Sequence, residues 1–177
     1  MDLSGFIVFN PLTESGVQIP KSPGNYIVTI RDIKALPTLG HKITTQQFRG
    51  QEIIYTGISK TSLYNRVWQS HISGHAGRST LRRTLGYLLG YTPIPRDKNA
   101  PNNGRIRFNA NDEESLKEWI KENLVFHFLP NDIPAVLETE LIRSLNPPLN
   151  LDENDNPVNQ EFRTALSLLR NQRPWMK

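Results

Sequence analysis

Stretches of apolar, β-branched residues alternate along the chain with stretches whose apolar positions recur at helical spacing. The first 23 residues, broken by Pro11, Pro20 and Pro23, show little periodicity, and one short strand is expected there at Gly5 to Phe9. Gly24 to Ile30 (Gly-Asn-Tyr-Ile-Val-Thr-Ile) predicts the first core strand. Residues 31–51, with Pro37, Gly40, Gly50 and scattered basic side chains, read as a long connection, and such connections often carry function. Glu52 to Thr56 predicts a second buried strand closed by a glycine turn at Gly57. Thr61 or Ser62 can cap the helix that follows it, which ends near Ser73-Gly74.

Beyond Gly74 the helical pattern resumes. Ser79 is a candidate N-cap, Leu81, Leu85, Leu88 and Leu89 form an apolar face, and Gly90 ends the helix. On this reading Arg78, Arg82 and Arg83 project outward together. Residues 91–104 read as a loop, and Arg105 to Phe108 as a short edge strand with Arg105 and Arg107 on one face. Asn111 to Asn123 predicts a helix capped by Asn111 or Asp112, with Leu116, Trp119 and Ile120 inward and an acidic, solvated start. Val125 to Leu129 predicts a strand in which His127 is a satisfied core histidine. Asp132 then caps a helix with Pro134 in its first turn. Val136, Leu137, Leu141 and Leu145 form its packing face, Glu138 lies at the margin, and Asn146-Pro147-Pro148 stops it. An acidic turn leads to a last helix, Gln160 to Asn171, with Phe162, Leu166 and Leu169 inward. The expected fold class is α/β, one domain over residues 1–177 with a small central antiparallel or mixed sheet flanked by helices. Insertions fall near 31–51 and 74–124, and a C-terminal extension covers 151–177.

Composition narrows the chemistry. A chain of 177 residues, 37% hydrophobic and 21% charged, suits a soluble domain with a sizeable core. No apolar run approaches the roughly 20 residues that a membrane-spanning helix needs, and no secretory signal pattern opens the chain, so a cytoplasmic location is expected. With no cysteine, thiol nucleophiles, disulfides and cysteine-ligated zinc are excluded. The net charge of +4 points weakly to an anionic partner.

Tyr55, Arg66 and His71 fall within seventeen residues of one strand-turn-helix unit, residue types that suit a site for phosphate chemistry. Gly24-Asn25-Tyr26 and Tyr55-Thr56-Gly57, followed by Arg66, then Glu138 with Leu141-Ile142, Pro147 and Asn150, resemble the GIY-YIG nuclease superfamily. The resemblance spans residues 24–150. It implies that Tyr26 and Tyr55 direct hydroxyls into a cleft, one of them taking or orienting the proton of the attacking water. It further implies that Arg66 binds the scissile phosphate, that Glu138 is the sole protein ligand of a Mg²⁺ or Mn²⁺ ion, and that Asn150 holds the cleft's geometry. Asn25 and Thr56 stand where apolar residues are usual, and Ile58 where many members carry a lysine, a role that falls to Lys60 if its side chain reaches in. Members often place a histidine or tyrosine one helical turn after the arginine. Here His71 lies five positions on, within reach if the helix bulges or starts late.

Chemistry independent of the resemblance supports the same residue types. Hydrolysis of a phosphodiester needs in-line attack by water and neutralisation of the developing charge. Arginine donates to phosphate in a planar, bidentate manner, and a hard carboxylate oxygen suits a magnesium ion that keeps most of its waters. A tyrosine, with its free pKa of about 10, needs help to act as a base. Lys60, Arg78, Arg82, Arg83, Arg105 and Arg107 are the candidate nucleic-acid contacts, directed to the phosphate backbone. The expected function is metal-dependent endonuclease cleavage of DNA, of a restriction or mobile-element kind. One active site per chain would require a homodimer, or sequential nicking, for double-strand cleavage. The alternative is a non-catalytic nucleic-acid-binding module on the same scaffold.

Overall fold

The computed structural model describes residues 1–175. Its centre is an antiparallel sheet of five strands in the order β1 (Ile7–Phe9), β7 (Leu124–Pro130), β2 (Gly24–Ile30), β4 (Gln51–Ser59) and β3 (Gln47–Phe48). Strands β5 (Ile94–Pro95) and β6 (Ile106–Arg107) form a separate ribbon. Every pairing is antiparallel, which resolves the choice between an antiparallel and a mixed sheet.

Strand β2 lies between β4 and β7 and is buried at all seven residues, as its enrichment in β-branched residues after a glycine predicts. Its two faces enter different cores. Tyr26, Val28 and Ile30 join the larger one, beneath α1 (Thr80–Leu88), α2 (Ala110–Asn123) and α4 (Gln160–Arg170). Ile27 packs with Phe6 and Ile53 against Leu141 and Leu145 of α3 (Pro134–Leu145). Asn25 occupies the second face and explains how a polar residue is accommodated there. Its side chain donates to the Pro134 carbonyl at 2.8 Å and accepts from Asn131 at 2.9 Å, so it moors the start of α3 to the sheet. Buried amides are stable only when both ends are used in this way.

Several expected details change. The long connection 31–51 contains β3, which pairs with β4 through a tight turn. Arg49 and Gly50 both have positive φ there, the conformation that lets a two-residue hairpin match the twist of its strands. Strand β4 runs through Gly57 to Ser59 instead of turning at the glycine. Gly57 and Gly24 serve close approach. A Cβ at Gly57 would stand 2.4 Å from Tyr26 Oη, and one at Gly24 would stand 2.4 Å from the Leu129 carbonyl. Asn109 caps α2 two residues earlier than expected. At the start of α3, Asn131 Oδ1 and not Asp132 accepts from the Ile133 N–H. Val136 points to solvent at 74% exposure, and Ile142 takes its place on the packing face.

Residues Tyr64–Ile72 wind as a π-helix, entered through Ser62, whose Oγ accepts from the Asn65 N–H at 3.2 Å. Its exit keeps the same i→i+5 pattern, with Ser73 N–H donating to the Trp68 carbonyl. In an α-helix two residues five apart would diverge by about 140° around the axis. The wider π turn brings Arg66 and His71 to one side.

Candidate active site

Strands β2 and β4 and the π-helix converge on one cluster. Gly57 lies opposite Tyr26 across the ladder, and its missing side chain lets the Tyr26 ring extend over β4. Tyr55 lies opposite Val28 on the same face, with its ring centroid 6.3 Å from that of Tyr26. A β-bulge between Val28 and Thr29 leaves Ile54 without a partner in β2, and such bulges re-aim the side chains next to them. From the π-helix, His71 Nε2 lies 2.6 Å from Tyr26 Oη, and Arg66 Nε donates to the same oxygen at 3.4 Å. The second ring nitrogen of His71 lies 2.6 Å from Ser79 Oγ, and Ser79 is also the N-cap of α1. Tyr26, His71 and Ser79 therefore form one buried chain of hydrogen bonds.

Asn150 completes the frame. Past the short β3, the outer edge of β4 has no strand partner among the described residues. Asn150 fills that edge with its side-chain amide, accepting from Thr56 N–H at 2.9 Å and donating to the Thr56 carbonyl at 3.0 Å. Leu149 N–H donates to the Ile54 carbonyl next to it. Tyr55 is thus fixed on both sides by backbone pairing.

The electrostatics follow from burial. Desolvation raises the pKa of the Tyr26 and Tyr55 hydroxyls, that of Tyr26 well above the usual tyrosine range, and Arg66 offsets part of the rise. Burial, reinforced by the charges of Arg66 and Arg82, holds His71 well below the usual histidine range. At neutral pH the chain is a phenol on a neutral imidazole. Glu138 is half-buried on α3 and lines a cavity of about 220 Å³ together with Tyr55, Asn150, Glu153 and Arg170. Burial and the nearby Glu153 carboxylate raise the Glu138 pKa, while Arg66 and Lys60 hold it down. No ion pair engages Glu138 among the described residues. A partly desolvated carboxylate facing a second one, without a fixed cation, fits a divalent metal ion. No group of three His, Asp or Glu suited to hold a metal occurs among the described residues, so most of the ion's coordination would be water.

The structure therefore brings Tyr26, Tyr55, Arg66, His71, Glu138 and Asn150 together, and Lys60 lies close enough to act on Glu138. It separates the basic candidates. Arg78, Arg105 and Arg107 are exposed. Arg82 turns inward, contrary to the outward reading, and is fully buried. It forms an ion pair with Glu113 at 2.8 Å and donates to the carbonyls of Glu113, His71 and Ile72, which leaves it no free donor for phosphate. Glu113 is accordingly a structural partner and not part of a solvated acidic start. The periodicity held the signal, because Arg82 precedes Leu85 by three and Leu89 by seven and so lies within the apolar stripe. Sequence reasoning missed Arg170, which reaches the cavity of Tyr55 and Glu138 from α4. No helix among the described residues is long and apolar enough to cross a membrane.

A family model described as the GIY-YIG catalytic domain matches residues 24–172. Comparison with curated proteins and with solved structures gave no match.

Proposed function

The chain belongs to the GIY-YIG catalytic-domain family, whose members are nucleases, and on that premise we propose that it is a divalent-metal-dependent endonuclease that hydrolyses phosphodiester bonds in DNA. One observation carries this reading. The Tyr26–His71 contact of 2.6 Å, the Arg66 guanidinium beside it, and Glu138 in the adjoining cavity with Tyr55 and Asn150 form a single acid-base and phosphate-binding assembly.

Both members of the tyrosine-histidine pair are neutral at pH 7, so Tyr26 serves as a relay and not as a preformed phenolate. Its oxygen accepts the proton of the attacking water while its own proton passes to Nε2 of His71. The tyrosine then never bears a full charge, and the imidazolium formed on buried His71, whose pKa burial and the charges of Arg66 and Arg82 already lower, is offset by the negative charge developing on the phosphate. Ser79 fixes the ring of His71 and accepts from Nδ1 as the imidazolium forms. Arg66 makes one long hydrogen bond to Tyr26 through Nε, and its two terminal nitrogens are left to bind the scissile phosphate and offset charge in the transition state. Tyr55 supports the same phosphate. Glu138 would hold a Mg²⁺ or Mn²⁺ ion, with Glu153 beside it, and such an ion would supply Lewis-acid stabilisation of developing negative charge. Lys60, Arg78, Arg83, Arg105 and Arg107 contact the DNA backbone, and two copies of the chain act together in double-strand cleavage.

Supercoiled plasmid tests the reading. Nicking and linearisation are expected with Mg²⁺ or Mn²⁺, stopped by a chelator, restored by excess metal, and lost in Tyr26→Phe, which keeps the ring but removes the relay oxygen. Cleavage at the wild-type rate by Tyr26→Phe would refute the relay.

A further inference from the structure

Next to the cavity of Tyr55 and Glu138 lies a larger one of about 560 Å³, between α1, α4 and the turn after Asn150. The two share Leu151, Asp152 and Arg170, so they form one continuous depression. Arg83 of α1 and Arg170 of α4 face into it, with Arg173 beyond the helix end. The arginines nearby divide into two kinds. Arg82 and Arg163 are saturated: Arg82 by Glu113 and three carbonyls, and Arg163 by Asn146 and the carbonyls of Val158 and Asn156. The amino groups of Arg173 are likewise occupied, by Tyr87 and backbone carbonyls. Arg83 and Arg170 differ. Among the described residues neither guanidinium makes a hydrogen bond or has a carboxylate within 4.0 Å, and their Nε atoms, like that of Arg173, are buried without an acceptor.

Two guanidinium groups in one depression repel each other, and a buried donor without an acceptor forfeits the hydrogen bond it made to water. An anion removes both penalties. Burial and the charge of Arg83 together lower the pKa of Arg170, which reflects the same crowding. Thr164, Ser167 and Asn171 add neutral hydrogen-bonding groups to the wall, and Asp152 and Asp155 line the cavity too, confining an anion to the side of α1 and α4. The space exceeds that of a phosphate group and accommodates its flanking sugars.

We propose that Arg83 and Arg170 form a second phosphate subsite, which receives a backbone phosphate flanking the scissile one on the same DNA strand. The proposal rests on the nuclease reading for what occupies the neighbouring cavity. It gives α4 a functional role, that of setting the path of the strand across Tyr55 and Glu138.

The test is binding of a fluorescent duplex to the full chain without divalent metal, across a range of salt. Arg83→Gln/Arg170→Gln is expected to bind roughly tenfold more weakly at moderate salt, and its slope of log affinity against log salt to be smaller by about one. In the wild-type protein, a scan of single methylphosphonates through the duplex should find one position whose neutralisation reproduces the loss, and the variant should be indifferent there. That arm needs no folded variant. Duplexes ending in 5′-phosphate or 5′-hydroxyl should bind alike, and a dependence on the end phosphate alone would overturn the assignment to an internal phosphate. Unchanged affinity and slope in a folded variant, or no sensitive position in the scan, overturns the subsite even if the wild type cuts DNA. Wild type that binds through these arginines but never cuts overturns the nuclease reading instead.

Discussion

Replacing Arg82 with methionine separates a structural arginine from a DNA-binding one. The side chain is fully buried, carries an ion pair with Glu113 at 2.8 Å, and donates to three backbone carbonyls, two of them at the exit of the π-helix. Methionine is similar in length and stays apolar, so the substitution leaves little void. It does leave the Glu113 carboxylate without its counter-ion and the carbonyls of His71 and Ile72 without donors. Breaking a buried pair by removing one partner costs about 3–5 kcal/mol. For a chain of this size that lowers the thermal midpoint by roughly 10 °C. Urea unfolding followed by circular dichroism measures the change directly, with exposed Arg78→Met as the control, expected within about 0.5 kcal/mol of wild type. The salt dependence of DNA binding should be unaltered in Arg82→Met, because this guanidinium reaches no solvent. A loss below about 1 kcal/mol, or a reduced salt slope, would refute the reasoning.

Other consequences follow from single contacts. Gly57→Ala drives a methyl group into the Tyr26 hydroxyl, 2.4 Å away, and should abolish cleavage while lowering stability by about 1–3 kcal/mol, readable from one plasmid assay and one melt. Asn150→Ala strips both backbone partners from Thr56 and should cost about 2 kcal/mol in urea unfolding, with weakened cleavage as Tyr55 loosens. His127 is buried on β7 and its pKa is lowered to about 4. It stays neutral in the folded chain while the unfolded chain takes up a proton below about pH 6.5, so stability falls as pH drops through that window. The expected loss between pH 7 and pH 5 is about 2 kcal/mol from this residue. His127→Gln should flatten that part of the profile, leaving the contribution of His71, which has the same sign. An unchanged profile would count against it.

How far the sequence reveals these features depends on how local their causes are. Strand β2 coincides with Gly24–Ile30 because burial on both faces writes itself as a β-branched run, Ile27 to Ile30, soon after a glycine. The helix of Glu138 is likewise bounded by Pro134 and by Asn146, which adopts the left-handed conformation at its end. The paired tripeptides, Arg66, Glu138 and Asn150 are placed in one site by the family resemblance that their order carries. The π winding could not, because no propensity marks it, and the offset of His71 by five residues was its only trace. Arg82 reads as surface by residue type, although its spacing from Leu85 and Leu89 puts it in the core. Arg170 escaped because its partner in the cavity, Arg83, lies 87 residues earlier in the chain, a proximity that only the packing of α1 on α4 creates. The hairpin of β3 and β4 hid in a turn where Arg49 adopts a conformation usually left to glycine or asparagine.

The most direct test of the central claim compares wild type with Glu138→Ala on supercoiled plasmid and mixed genomic DNA in Mg²⁺ or Mn²⁺, with binding to the same DNA measured in parallel. The account predicts cleavage by wild type, none by the variant, and binding by both. Cleavage by Glu138→Ala at the wild-type rate, or binding without cleavage by the wild type, would contradict it.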